Sequence, residues 1–355
     1  MEKRTIYFSN IRAIACMAIV LLHTCSLAVS SFEPTQTERM WSYIIRNCLL
    51  WAVPCFVMVT GALLLDPQKE IGFAKIWKYI RRILAALLLF SFIFAVFDTV
   101  LTPHRRVDLE MLRSWVEKVL TNGSWLHMWY LYLVLALYLM LPIERLISAH
   151  ASKKELRYLL LLYFVFLSIV PTVNTLTGKN IGFYITAYTV YPFYLFLGYA
   201  IEKKFVRFSP AAAWLCLECS TVTLILLTWA AFNWHSEKIG SLCGSYAFAG
   251  VAVQAAALFA VMKQREEKWI QWREIKQWNQ KENPLLKILL KIDSCSFGIY
   301  LIHVLVIQII YKCMKFDPYN NGGVLMLFGV FAVSFLVSWG VVRVLKLVPG
   351  LKKIV

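Results

Sequence analysis

The chain has 355 residues, of which 60% are hydrophobic and only 16% charged; an ordinary soluble domain carries about 25% charged residues. The mean hydropathy is +0.63 and apolar runs of membrane-crossing length recur, which excludes a typical soluble protein and points to an all-α, polytopic membrane protein. The net charge of +17 does not by itself indicate nucleic acid, because the cytoplasmic loops of membrane proteins collect Lys and Arg.

In chain order the apolar runs predict ten spans, near residues 7–31, 41–65, 78–102, 125–147, 156–174, 181–201, 211–233, 244–263, 294–314 and 323–346. The opening MEKRT is basic. The apolar run after it is too long for a secretory signal and lacks a small-residue cleavage site, so the first span is expected to be retained. An even count puts both termini on one side. With that side cytoplasmic, 26 of the 37 Lys and Arg fall in cytoplasmic segments and 10 in outer ones. The asymmetry supports both termini inside and gives the inner surface a partner in anionic lipid. A single membrane domain, 1–355, is expected.

The cytoplasmic segment 264–291 is charged but punctuated by Trp269, Trp272, Ile275 and Trp278. That pattern predicts a helix lying in the membrane interface, the alternative being a solvated connector. The nine cysteines lie mostly in apolar runs, and no spacing pairs them with histidines, so no metal site is expected. Cys216 and Cys219 form C-x-x-C on a predicted span, where a redox motif is out of place. They read as small packing residues.

The first span, IYFSNIRAIACMAIVLLHTCSLAVSS (6–31), carries Arg12 and His23. Ionisable groups in a span are expensive and usually face a protein interior or a wet cavity. Eleven residues correspond to about 16 Å of helix rise and about 20° of rotation, so the two share a face. Either they snorkel separately to the two interfaces, or they line one tunnel. His127 opens span four beside Trp129 and Tyr130; an aromatic belt explains the Trp residues. His303 falls inside span nine, as a buried hydrogen-bonded histidine or as a substrate contact. Tyr184, Tyr188, Tyr191 and Tyr194 recur at helical spacing, with Pro192 allowing a kink. That stripe is either helix packing or a stacking surface for a sugar ring. Glu218 is the one carboxylate placed well inside a span.

R-x10-H in the first span resembles acyltransferase family 3, the integral membrane acyltransferases that O-acylate surface carbohydrates. VPCFVMVTGALLL (53–65), KYIRRIL (78–84), HMWYLYLVLALYLMLP (127–142), FYLFLGYAI (193–201) and SFGIYLIH (296–303) are similar to further segments of that family, in the same order. Two positions depart from its pattern. Ser9 stands where the family usually has an acidic residue, and the basic pair reads Lys78-x-x-Arg81 with Arg82 adjacent.

The resemblance implies a multi-pass protein of the bacterial plasma membrane that takes acyl-CoA, usually acetyl-CoA, from the cytoplasm and acylates a carbohydrate or lipid-linked glycan, with no tightly bound cofactor. Phosphates of the donor call for basic side chains, and Arg suits them best. Arg12, Lys78, Arg81 and Arg82 are the donor-side candidates, although topology anchoring would also explain the last three. A hydroxyl attacking a thioester needs a base near neutral pH, which suits His23. His127 would orient the hydroxyl or stabilise the oxyanion. Trp129, Tyr130, Tyr184, Tyr188, Tyr191 and His303 are the acceptor-side candidates. Two other functions fit parts of this pattern: a proton-coupled transporter using Arg12, His23 and Glu218, and a non-catalytic subunit of a polysaccharide export complex.

Overall fold

The computed structural model describes residues 6–102, 106–179, 181, 189–276 and 284–355. All regular structure among them is helical: α1 (Ile6–Ser31), α2 (Gln36–Cys48), α3 (Ala52–Leu64), α4 (Phe73–Leu101), α5 (Leu109–Leu120), α6 (Trp129–His150), α7 (Lys153–Phe164), α8 (Val170–Thr177), α9 (Tyr191–Glu202), α10 (Pro210–Asn233), α11 (Glu237–Cys243), α12 (Ala249–Lys276), α13 (Pro284–Gln308) and α14 (Met326–Leu345). Among the described residues eight helical stretches are long and apolar enough to cross a membrane: Ile6–Ser31, Gln36–Leu64, Phe73–Leu101, Leu126–His150, Lys153–Thr177, Pro210–Asn233, Pro284–Cys313 and Gly323–Leu345. The protein is a polytopic, all-α membrane protein. The other two expected spans fall on α9, described from Tyr191 onward, and on α12, whose far half is charged.

Four expectations change. The span at 41–65 is two helices, α2 and α3, broken at Leu49–Trp51. Pro54 lacks the N–H that would continue the ladder and its ring crowds the preceding turn. Helix α9 begins at Tyr191 with Pro192 in its first turn, so the proline starts a helix where a kink was expected. Tyr184 and Tyr188 lie outside the described residues. Helix α12 runs without interruption through Lys276, so residues 264–276 prolong α12 and form no separate interfacial helix; Trp278 lies outside the described residues. Helix α13 starts ten residues before the expected edge at 294, which brings Asp293 into the bundle.

Helix α1 is central, packed on α2, α3, α12, α13 and α14. Its neighbour α3 meets α9 backbone to backbone. A Cβ on Gly61 would fall 1.8 Å from the Leu195 carbonyl oxygen, and one on Gly198 would fall 2.0 Å from that of Met58. Membrane helices associate through such small-residue contacts, because lipid offers no hydrophobic drive between them. The outer helices keep apolar side chains exposed, among them Leu146, Leu161, Leu215, Leu226 and Leu336, as lipid contact requires.

One end of the bundle is basic and tied together by polar contacts. The Glu266 carboxylate accepts the Ile6 and Tyr7 backbone N–H groups at 2.7 and 3.0 Å, satisfying donors that a helix start leaves unpaired. Lys263 donates to the Ile201 and Glu202 carbonyls at 2.8 and 2.5 Å. Lys203 pairs with Asp66 at 2.8 Å. This clamp fixes the ends of α1, α3, α9 and α12 together, and so fixes the depth of every residue along α1.

Candidate active site

A cavity of about 420 Å³ lies between α1, α3, α4, α6 and α13. On α1 it is lined by Arg12, Cys16, Ile19 and His23. These are spaced four, three and four, which keeps one helix face on the cavity. Arg12 and His23 therefore share a face, and that face borders one space.

At the basic end, Arg12 meets Asp293 in a bidentate ion pair, Nε to Oδ1 at 2.6 Å and Nη2 to Oδ2 at 3.0 Å. The Asp293 side chain is 2% exposed and that of Arg12 26%. A buried carboxylate needs such a partner to offset its desolvation. Arg82 also borders the cavity, with Tyr79 and Ile83 on the same face of α4. Its guanidinium lies 5.0 Å from the Phe297 ring centroid and its Nε donates to the Ile354 carbonyl at 3.2 Å. Lys78 and Arg81 are outside the lining: Arg81 is turned about 100° from Arg82, and Lys78 lies one turn nearer the start of α4.

At the far end three histidines come together. Ring centroids are 5.0 Å apart for His23 and His303, 5.6 Å for His127 and His303, and 6.1 Å for His23 and His127. His303 Nδ1 lies 3.0 Å from the Ile299 carbonyl, one turn back on α13. A carbonyl only accepts, so in the neutral ring Nδ1 carries the proton and Nε2 is bare. His23 Nδ1 lies 2.9 Å from that Nε2 and so is the donor. The chain of bonds leaves His23 Nε2 with a free lone pair.

His127 is 1% exposed and borders the cavity, and among the described residues neither ring nitrogen has a hydrogen-bond partner of good geometry. Buried polar atoms without partners are rare in folded proteins, and each asks for an explanation. The turn carrying His127 is held from three sides. Trp125 stacks on Phe94 at 4.2 Å, Trp125 Nε1 donates to Asp98 at 2.7 Å, and the Tyr300 hydroxyl donates to the His127 carbonyl. Beside it, Trp129 lies 5.6 Å from Tyr246 and 5.9 Å from Tyr191; Trp129, Tyr130 and Tyr246 line the cavity and Tyr191 stands behind them.

The expected set is thus divided. Arg12, His23, Arg82, His127, Trp129 and Tyr130 share one cavity. His303 is fully buried behind His23 and outside the lining; it is the buried, hydrogen-bonded histidine of its two sequence readings, and its ring bonds His23. Glu218 is exposed on α10, and Asp293 and Glu144 are the buried carboxylates in spans. Among the described residues no group of three or more His, Cys, Asp and Glu is arranged to hold a metal ion. Asp293, Tyr246 and Tyr300 complete the site without having been singled out in the sequence.

No curated protein and no solved structure matches the chain. The family model of the acyltransferase domain matches residues 5–343, nearly its whole length. The chain belongs to acyltransferase family 3, the membrane acyltransferases.

Proposed function

We propose that the protein is a membrane O-acyltransferase, most simply an O-acetyltransferase, of the bacterial plasma membrane. It carries an acyl group from acyl-CoA on the cytoplasmic side to a hydroxyl of a cell-surface or lipid-linked carbohydrate. The observation that carries this reading is one cavity with arginines at its basic end and a histidine with a free nitrogen at the other.

The basic end faces the cytoplasm by the positive-inside rule. Arg12 and Arg82 hold the donor's phosphates there, with Lys78 and Arg81 adding positive charge just outside. The cavity admits the acyl-pantetheine arm and leaves the nucleotide at the surface. The about 16 Å of rise between Arg12 and His23 matches the reach of that arm.

The acceptor hydroxyl attacks the thioester carbonyl, and its proton passes to His23 Nε2. His303 holds the His23 tautomer by accepting from Nδ1–H, in the manner of the third member of a catalytic triad. His127, with unpartnered nitrogens, donates to the oxyanion of the tetrahedral intermediate. The intermediate collapses with loss of the CoA thiolate, which takes the proton from His23. The ester forms, the thioester breaks, and no metal or nucleotide hydrolysis enters the balance.

Thiol release from acetyl-CoA by purified protein in detergent tests this, with a cell-envelope glycan extract as acceptor. Wild type is expected to release thiol and to place acetyl ester on glycan, and His23→Ala to do neither. Unchanged glycan acetylation by His23→Ala would overturn the assignment. The transporter alternative loses one of its three groups, because Glu218 is exposed away from the cavity.

A further inference from the structure

Arg46 on α2 is a half-buried cation whose Nη1 lies beside Gly244, two residues before Tyr246 of the cavity lining. Its ties among the described residues are weak for a guanidinium. Nη1 donates to the neighbouring Asn47 Oδ1 at 3.2 Å, and the group sits 5.6 Å from the Tyr43 ring centroid. No carboxylate within ion-pair distance of it is seen among those residues, whereas Arg12, Lys203 and Lys263 each have one. Partial burial of an unneutralised charge is costly, so a site that keeps one gains from an anion that comes and goes.

The surroundings of Arg46 are shaped for a ligand. Gly244 leaves it room: a Cβ there would fall 3.2 Å from Nη1. Two residues on, Tyr246 lines the cavity and packs with Trp129 and Tyr191, the three ring centroids being 5.6, 5.9 and 6.2 Å apart. An aromatic platform stacks on the apolar face of a sugar ring, and an adjacent arginine grips a carboxylate or phosphate in bidentate fashion.

We propose that Arg46, with the Trp129–Tyr191–Tyr246 platform, forms an acceptor subsite for an anionic carbohydrate. The acceptor then carries a carboxylate, as in a uronic acid, or a phosphate, as in a sugar phosphate, close to the hydroxyl that is acylated. The link to acylation rests on the function proposed above; the binding of an anionic sugar does not.

The test has two readouts on purified protein. The first is the shift in melting temperature on titration with glucuronate, glucose 1-phosphate, glucose and inorganic phosphate, since a ligand that binds the folded state stabilises it. Wild type is expected to be stabilised by glucuronate or glucose 1-phosphate, and the stronger of the two names the anion. Glucose and inorganic phosphate should act only at concentrations about tenfold higher, the worth of one charge-assisted contact. Arg46→Gln should lose the preference and Arg46→Lys keep part of it. Equal shifts from all four compounds in wild type, or an undiminished preference in Arg46→Gln, overturn the proposal. Should Arg46→Gln fail to fold, the wild-type comparison and Arg46→Lys still decide. The second readout is thiol release from acetyl-CoA with the same sugars. A preference in binding with no thiol release from any acceptor would sustain the anionic subsite and count against the acyltransferase mechanism.

Discussion

His23 and His303 share a hydrogen bond of 2.9 Å, and it is the upper of two rungs between α1 and α13. The lower rung is the Arg12–Asp293 ion pair. Eleven residues separate the rungs on α1 and ten on α13, rises of about 16 and 15 Å, so the two helices run side by side in the same direction. The pairing fixes the register of the arginine end of the cavity against its histidine end. It also makes His303 a positioning residue, buried and without contact to the cavity.

That arrangement predicts different losses for the two histidines. His23→Ala removes the base and should lower kcat by about 10²–10⁴-fold. His303→Ala leaves the base in place but frees its tautomer and rotamer, and should lower kcat by about 10²-fold with donor KM little changed. Steady-state thiol release with acetyl-CoA varied checks both. An equal rise in KM for His303→Ala would mean that the ring contacts substrate after all.

The Arg12–Asp293 pair predicts non-additive stability. Arg12→Ala takes the bidentate partner from a carboxylate that is 2% exposed. Uncompensated buried charge costs about 3–5 kcal/mol, less here because Arg12 itself is partly exposed to solvent. Arg12→Ala with Asp293→Asn removes both charges and should recover more than half of the loss. Melting in detergent of the two single variants and the double gives the coupling; simple additivity would show that the pair is not energetically linked.

How much of this was legible in the sequence follows from what a single chain encodes. Arg12 and His23 were legible as one face because helical periodicity is a property of one segment. Asp293 was hidden, since Lys287, Lys291, Asp293 and Ser294 make the first turns of α13 read as a loop. Only the partner on α1 shows why a carboxylate lies there. The role of His303 depends on a bond between helices 280 residues apart, which no spacing reveals. Tyr246 lies between α11 and α12 with no motif around it. Glu218 was placed inside a span correctly by composition, but α10 is apolar on every side, so its rotation could not be read.

On the proposed function, position on α4 should separate donor contacts from topology anchors. Arg82 borders the cavity and Lys78 and Arg81 do not. Arg82→Ala should raise the KM for acetyl-CoA by about tenfold, the worth of one charge-assisted contact. Lys78→Ala and Arg81→Ala should each change it by less than about threefold, as expected of exposed charges. An equal effect of all three substitutions would move the phosphate contacts out of the cavity mouth and onto the surface of α4.

The α3–α9 contact sets how closely the wall of the cavity can approach α1. Gly198→Ala would force a methyl group to within 2.0 Å of the Met58 carbonyl oxygen, and backbone on both sides leaves nothing flexible to yield. Helix α3 must then shift, carrying with it Val59, Thr60 and Leu63, which line the cavity. Overpacking of this kind costs about 1–3 kcal/mol. The melting temperature in detergent should fall, and kcat should fall with it, because a small misplacement of an active-site wall is costly to catalysis. Gly340→Ala is the control, since a Cβ there meets nothing within 4 Å and helix propensity favours alanine. If Gly198→Ala melted like Gly340→Ala, the two helices would be further apart than the backbone contact requires.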